Sequence, residues 1–173
     1  DTHNQILEHF EILDYSPVGM CIINSEWRIV FWNRCLEDWT GINRMELLGN
    51  QLLDHFPNLD TDAYRARLQT IFDGGPPAIF SSMLHHQIFP VPPASKKANI
   101  QHTKVTVIPD PHNQTTYALF AVEDVTELTH RMEVQRKLRK QTQEEMRQRE
   151  KAEKEKAALQ VQMQHAQKLE SLG

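Results

Sequence analysis

The chain has 173 residues, a formal net charge of −4, 39% hydrophobic residues and 24% charged residues. This length suits one domain with an appendage, and the small acidic balance offers no basic surface for nucleic acid. No run approaches 18 consecutive apolar residues, so no membrane span is predicted, and no signal peptide is visible. Because the chain begins at Asp1 without Met, we expect a segment of a longer protein, whose other parts could hold a membrane anchor.

The first predicted element is an N-terminal cap helix over residues 1–16. Apolar side chains recur there at helical spacing, so one face can pack against the rest of the domain. These positions are Ile6, Leu7, Phe10 and Leu13. The helix is expected to end before Pro17, because the residue that precedes a proline avoids helical backbone angles.

Residues 19–23 and 28–32 are predicted to form a β-hairpin, although its turn lacks the usual Asn-Gly or Asp-Gly pair. In both strands the two alternating faces are apolar. A sheet with one solvated face should instead alternate apolar and polar residues. We therefore expect the second face to be covered by the N-terminal helix, by a second protomer, or by both.

Two short helices are predicted next, each with a polar residue at its start and a glycine at its end. Asn33 starts the first helix and Gly41 ends it. Asn43 starts the second with a pattern like a capping box, and Gly49 ends it.

A third helix is predicted to start at Asp60 or Thr61 and to stop at Gly74. Its apolar face consists of Tyr64, Leu68, Ile71 and Phe72. Strands are predicted over residues 78–86, 100–108 and 116–123.

Residues 125–173 contain no Pro and no Gly before the last residue, and they consist mainly of strong helix formers. A continuous helix of this length would reach about 70 Å and could not fold back on so small a domain. We therefore predict a parallel dimeric coiled coil, with a solvated single helix as the alternative. The predicted seam residues are Leu128, Met132, Leu138, Leu159, Met163, Ala166 and Leu169. The seam nearly vanishes over residues 139–156, and such a soft middle suits an element that shifts between two arrangements.

This order of elements resembles the PAS domain. The similarity is carried by residues 16–24, by Asn33 with the Trp-Thr-Gly of 39–41, by the Glu-Leu-Leu-Gly of 46–49, and by residues 122–127. It covers about residues 1–127. It implies an α+β fold with a five-stranded antiparallel sheet and helices on one face.

The resemblance also implies three segments. Residues 1–16 would be the cap helix, residues 17–124 the sensory domain, and residues 125–173 a signalling helix that leads into a kinase dimerisation domain. In the hairpin turn, residues 24–27 replace the Asp-x-x-Gly that is common in the family.

PAS domains often hold a small molecule between the third helix and the inner face of the sheet. By that match, the pocket walls would be Met20, Ile22, Phe31, Tyr64, Leu68, Phe72, Val105, Val107 and Phe120. The alternative is that these side chains simply pack as core.

The identity of any cofactor stays open, although flavin and haem are not expected. Light-sensing relatives place a reactive Cys after the second short helix, and residues 49–55 contain none. Haem-binding relatives carry the axial His on the third helix, where residues 62–75 have none and only His55 lies nearby.

Asp124 and Thr126 lie where the last strand becomes the long helix. Asp124 is expected to cap that helix, because negative charge near a helix N-terminus is favourable by about 0.3–1 kcal/mol. In the PAS family the matching motif couples movement of the sheet to the exit helix. A cap that can form and break would serve as a switch.

Other candidates for chemistry are sparse. Cys21 and Cys35 form no motif and are expected to be reduced packing residues, which fits a cytoplasmic setting. His85, His86 and His102 would lie on neighbouring strands, but adjacent His85 and His86 face opposite ways. We expect these histidines to be polar residues on a solvated edge, and no metal site. No hydrolase triad, phosphate loop or deaminase motif is visible.

The last nine residues, from His165 to Gly173, are similar to the segment before the phosphorylated histidine of sensor histidine kinases. His165 does not match the acceptor position, and the acceptor and the ATP-binding domain are absent from this sequence. We therefore expect a non-catalytic sensory module of a bacterial two-component kinase.

We expect this module to form a homodimer through its C-terminal helix and through its N-terminal helix or outer sheet face. It is not expected to contact nucleic acid or membrane within this segment. The alternatives are a purely structural dimerisation module without ligand, and a module of another output enzyme such as a cyclic-dinucleotide synthase.

Overall fold

The computed structural model describes residues 11–85, 87–92, 99–110 and 115–173. The chain divides into two compact units, Asp1–Glu127 and Leu128–Gly173. In the part of the chain that is described, no helix is both long and apolar enough to cross a lipid bilayer.

Within the described residues, five strands form one antiparallel sheet with the order β2-β1-β5-β4-β3. They are β1 (Gly19–Asn24), β2 (Ile29–Trp32), β3 (Ala78–Phe80), β4 (Gln101–Pro109) and β5 (Thr116–Asp124). The first and the last strand are therefore neighbours at the centre of the sheet. This arrangement confirms the predicted hairpin and the predicted antiparallel sheet.

The helices are α1 (Arg34–Thr40), α2 (Arg44–Leu47), α3 (Leu52–His55), α4 (Asp62–Phe72), α5 (Ser82–His85) and α6 (Thr126–Glu170). Glu11–Tyr15 and Pro57–Leu59 form 3₁₀ turns. Of the predicted N-terminal helix, residues 1–10 lie outside the described part of the chain. The strand predicted over 78–86 is wrong beyond Phe80, because the chain turns there into α5.

The predicted helix starts are confirmed by side-chain caps. Asn33 accepts a hydrogen bond from the backbone N–H of Leu36, and Thr61 accepts one from Tyr64. Gly41 ends α1 in the left-handed region at φ 72°. In contrast, α3 was not predicted, and its first turn has no side-chain cap that the sequence could have revealed.

The long predicted helix is confirmed as α6, which runs without interruption for 45 residues. At 1.5 Å per residue this corresponds to about 68 Å. None of its residues, all of which are described, is buried in the single chain.

The register between strands decides which side chains face the helices. Phe120 of β5 pairs with Cys21 on one side and with Val105 on the other. Directly paired residues of antiparallel strands point to the same face. Cys21, Phe120 and Val105 therefore share the inner face, where Leu68 and Ile71 of α4 complete the buried core.

Met20, Ile22 and Phe31 lie on the opposite, outer face, which corrects their predicted place in the pocket. Ile22 pairs with Phe31 and with Leu119, one residue out of step with the inner-face positions. Because both faces of the hairpin are apolar, alternation in the sequence did not reveal which face meets the helices. Ile22 and Phe31 are nevertheless buried, at 0% and 2% exposure, so this end of the outer face is covered.

Trp27 adopts a backbone conformation in the hairpin turn that favours glycine, with φ 64°. Its N–H donates to the carbonyl of Asn24 at 2.9 Å, and its carbonyl accepts from the N–H of Leu52 at 2.9 Å. The ring is half-buried against the core. Packing of the ring and these two hydrogen bonds hold a conformation that costs a non-glycine residue about 1–2 kcal/mol.

Asp14 ties the N-terminal 3₁₀ turn to the helices. Its carboxylate lies 2.8 Å from Arg44, and it also accepts the backbone N–H of Arg34 at 2.9 Å. Arg44 in turn lies 2.5 Å from Glu37. Burial raises the pKa of Glu37, but hydrogen bonds and positive charge from Arg44 outweigh burial and leave that pKa below its ordinary value.

A buried amide joins the same turn to β1 and α1. The side chain of Asn33 is fully buried, and its Nδ2 donates to the carbonyls of Leu13 at 3.1 Å and Val18 at 2.9 Å. Its Oδ1 accepts from the N–H groups of Met20 and Leu36. All four hydrogen-bonding positions of this amide are therefore occupied.

Replacing Asn33 by Ala should lower the free energy of unfolding by about 2–4 kcal/mol, because the buried amide makes four hydrogen bonds to backbone groups and all four are lost. Urea unfolding followed by tryptophan fluorescence measures this loss. The matched control is Asn43→Ala, which removes an exposed helix cap and should cost about 1 kcal/mol. Equal losses in the two variants would contradict a special role for the buried amide.

Candidate functional site

The space between the sheet and the helices is filled by aromatic rings. Trp32 stacks on Phe56 with ring centroids 5.5 Å apart. The ring of Phe89 meets both edge-on at 4.9 Å and approaches Phe120 at 5.8 Å. We call these four residues the aromatic cluster; each is at most 3% exposed. Phe89 comes from the segment between β3 and β4, which the sequence did not mark as part of the core.

The remaining predicted pocket residues do lie on the inner side of the sheet. Leu68, Val105 and Phe120 belong to the buried core, and three further residues pack against it. These three are Tyr64, Phe72 and Val107. The structure thus brings six of the nine predicted residues together, while a ligand in contact with them stays a prediction.

Polar atoms without a partner are also buried in this region. Within the described residues, Trp32 Nε1, Thr103 Oγ1 and Asn99 Nδ2 have no hydrogen-bond partner. A buried polar group in that state costs about 1–3 kcal/mol.

A second group of rings surrounds Tyr64 at the edge of the core. Its hydroxyl lies 3.0 Å from His85 Nδ1, and the rings of Tyr64, Phe80 and His85 lie 5.3–5.4 Å from one another. The guanidinium of Arg67 sits 5.5 Å above the Phe80 ring and 3.4 Å from His85 Nε2. Burial, followed by the positive charge of Arg67, lowers the pKa of His85. Burial also raises the pKa of Tyr64.

An open depression of about 490 Å³ lies beside Trp27. Leu53 and Ala66 line it together with Trp27, and its rim is polar. It lies outside the predicted pocket and shares none of that pocket's residues.

The junction between β5 and α6 is held by a compact set of hydrogen bonds. Asp124 Oδ1 accepts the N–H of Thr126 at 2.9 Å and its hydroxyl at 2.5 Å, so Asp124 caps the helix as the sequence indicated. The hydroxyl oxygen of Thr126 also accepts the N–H of Ile100 at 2.8 Å. In addition, the N–H of Val125 donates to the carbonyl of Ile100 at 2.8 Å. The start of α6 is therefore tied both to its own strand and to the start of β4.

Three buried residues of this region were not predicted from the sequence to be buried. The amides of Asn33 and Gln101 are buried, and Phe89 fills the centre of the aromatic cluster. Asn33 was predicted only as a helix cap, because its other partners lie up to 20 residues away. Gln101 stands at the start of a strand, and a buried amide there has no local signature.

The predicted group of histidines on neighbouring strands is not found among the described residues. Among the residues that the structure describes, no group of three His, Cys, Asp or Glu side chains could hold a metal ion. His85 lies on α5 and not on a strand, and His102 lies on the outer face opposite Glu123. His86 lies outside the described residues. Burial raises the pKa of the Cys21 thiol, which disfavours the reactive thiolate.

Stability should fall on acidification in a way that depends on His85. Since its pKa is lower in the folded chain, the unfolded chain binds a proton more readily, and stability is lost as pH falls below about 6.5. The variant His85→Gln should lose less stability than the wild type between pH 7 and pH 5 in thermal unfolding. Parallel curves for the two proteins would contradict a lowered pKa of His85 in the folded chain.

The PAS fold family matches residues 13–130, which is more than half of the chain. No curated protein sequence matches the chain significantly.

Solved structures with the same fold have low sequence identity to this chain. The sensory box sensor histidine kinase from Vibrio cholerae is 21% identical with a TM-score of 0.52, over 72% of this chain and 95% of that one. The PAS domain of Bordetella pertussis BvgS is 17% identical with a TM-score of 0.55, over 81% and 98%.

An RNA-binding light-oxygen-voltage receptor is 15% identical with a TM-score of 0.54, over 79% of this chain and 37% of that one. At such identities these likenesses show the fold alone. The match over residues 13–130, the strand order and the run of short helices between β2 and β3 agree: the chain belongs to the PAS fold family.

Proposed function

We propose that this chain is the sensory module of a bacterial two-component histidine kinase and that it passes its signal through the junction of β5 and α6. The observation that carries the proposal is the Thr126 hydroxyl, which bridges Asp124 and the N–H of Ile100. A shift of β4 against β5 would break or re-form this bridge. Thus the packing of the sheet and the start of the exit helix depend on one another.

The energies involved suit a switch. A single intramolecular hydrogen bond contributes a net of about 0.5–1.5 kcal/mol, and coupling between two sites is typically about 1–3 kcal/mol. Loss or gain of the two bonds that Ile100 makes with residues 125 and 126 therefore matches the size of the expected signal.

Pairing of α6 with a second copy would convert this local change into movement of an output domain. The predicted seam residues are exposed in the single chain, Leu138 at 62% and Leu159 at 61%. These two residues are three heptads apart, and the equivalent positions between them are Glu145 and Ala152. The middle of the predicted seam has few apolar residues to fix one register. This supports a coiled coil that can shift its register. A second contact through the N-terminal segment or the outer sheet face completes the proposed homodimer.

The proposed output is a kinase core that follows Gly173. The segment from His165 to Gly173 resembles the approach to a phosphoacceptor histidine, and structural neighbours of this chain are named as parts of histidine kinases. Within this picture the chain itself is non-catalytic and lies on the cytoplasmic side.

A purely structural dimerisation module is the second candidate. It is favoured by the aromatic cluster, because these rings occupy the space in which PAS relatives often hold a ligand. Mass spectrometry of small molecules released from the purified protein, together with a thermal-shift ligand screen, separates the two candidates. A bound molecule, or a ligand that raises the melting temperature, supports a sensor. The absence of both supports the structural module.

The junction can be tested in the intact kinase. Thr126→Val removes both hydrogen bonds of the hydroxyl, and Asp124→Ala removes the cap, so each should change basal or stimulated autophosphorylation about fivefold or more. Thr126→Ser retains the hydroxyl and serves as the matched control with near wild-type activity. Unchanged autophosphorylation in both of the first two variants would rule out transmission through this junction.

Dimerisation through α6 can be tested by sedimentation of the 173-residue chain. Leu159→Lys places a charge in the seam and should raise the dimer Kd more than about tenfold, whereas Glu145→Leu fills the soft middle and should lower it. Gln160→Lys adds the same charge one residue away, outside the seam, and should have little effect. A chain that remains monomeric at millimolar concentration would contradict the coiled coil.

A further inference from the structure

The side chain of Gln101, at the first position of β4, makes an unusually complete set of buried hydrogen bonds. Its Oε1 accepts from the N–H groups of Ile88 at 3.0 Å and Phe89 at 3.1 Å. Its Nε2 donates to the carbonyl of Phe89 at 2.7 Å and to Oδ1 of Asn99 at 3.1 Å. With 2% exposure, this amide has no access to water that could replace a lost partner.

On one side, Gln101 holds the backbone that carries the Phe89 ring. Phe89 is fully buried and contacts the other three members of the aromatic cluster. The carbonyl of the preceding Ile88 also accepts from Asn58 Nδ2 at 3.0 Å. The position of the ring is therefore fixed to the start of β4 through one amide group.

On the other side, Gln101 adjoins the junction. In the β4–β5 ladder it pairs directly with Asp124. Its neighbour Ile100 accepts the N–H of Val125 with its carbonyl and donates its own N–H to the side-chain hydroxyl of Thr126. The first residues of β4 thus touch the aromatic cluster through a side chain and the start of α6 through the main chain.

We propose that Gln101 is a positioning residue that couples the aromatic cluster to the start of α6. A displacement of the Phe89 ring moves the backbone at residues 88 and 89. The Gln101 amide must follow, because otherwise up to four buried polar groups would lose their partners. The movement of Gln101 carries Ile100 with it and so alters the bonds to Val125 and Thr126.

The role of this coupling in signalling rests on the proposed function, but the physical coupling is a property of the domain itself. It is a contiguous chain of contacts whose members can be removed one at a time, which is the form of coupling that mutation can test. Thr103 provides the matched control, since it lies two residues further along the same face of β4, is buried, and has a hydroxyl without a described partner.

The experiment is amide hydrogen exchange by NMR on the 173-residue chain, read at Ile100 and Val125 relative to Cys21 in the β1–β5 ladder. Phe89→Leu should speed exchange at both amides about fivefold or more beyond its effect at Cys21. In a Gln101→Leu background the same change should add no such excess. In a Thr103→Val background the excess should persist.

The inference is overturned if Phe89→Leu has no excess effect in the wild-type background, or if the excess survives Gln101→Leu. Should Gln101→Leu fail to fold, the reverse direction decides, because coupling is reciprocal. Thr126→Val should then speed exchange at Ile88 and Phe89 beyond the Cys21 reference, whereas Thr142→Val on the exposed face of α6 should not. If amide hydrogen exchange at Ile88 and Phe89 is unchanged in the Thr126→Val variant, the proposal is overturned.

These outcomes are separable from those for the proposed function. If the exchange coupling is found but the junction variants leave autophosphorylation unchanged, Gln101 positions the domain and the kinase relay fails. If autophosphorylation responds while the exchange coupling is absent, the relay stands and Gln101 has no part in it.

Discussion

The register between β1 and β5 is the constraint on which the rest of the structure depends. It pairs Cys21 with Phe120 and thereby decides which side chains of the two central strands meet the helices. A slip by one residue would exchange the faces and turn Ile22 toward α4 in place of Cys21. On its other side β5 pairs with β4 along its whole length, and that pairing places Gln101 opposite Asp124.

Two buried amides connect chain segments outside the strands to the core of the domain. Asn33 binds the backbone on either side of Pro17, and Gln101 binds the backbone of the segment that carries Phe89. Each amide has all of its donors and acceptors occupied by other groups of the chain. Fully satisfied networks of this kind favour one arrangement over near alternatives, because a partial rearrangement leaves polar groups without partners.

Local features of the sequence predicted much of this fold, whereas long-range ones did not. Asn33, Gly41 and Thr61 marked helix ends correctly, since caps depend on residues within one turn. Alternation could not orient the hairpin, because both of its faces are apolar, and Ile22 and Phe31 were assigned to the wrong side. The contribution of Phe89 to the site was invisible for another reason. Its segment follows α5 in a connection without strand or helix periodicity, and only tertiary contacts bring it into the core.

The neighbouring positions of the first and last strands determine how the domain would respond to tension. The chain enters β1 at Gly19 and leaves β5 at Asp124, and Gly19 lies opposite Val122. Both ends of the domain therefore emerge from the same end of the same antiparallel pair. A force that separated residues 18 and 125 would unzip this pair one rung at a time, beginning at Gly19 and Val122, and would not shear all its rungs together. Antiparallel strands loaded in this way offer little mechanical resistance. The hydrogen bonds of Asn33 to Val18 and of Ile100 to Thr126 would therefore be the first to carry the load.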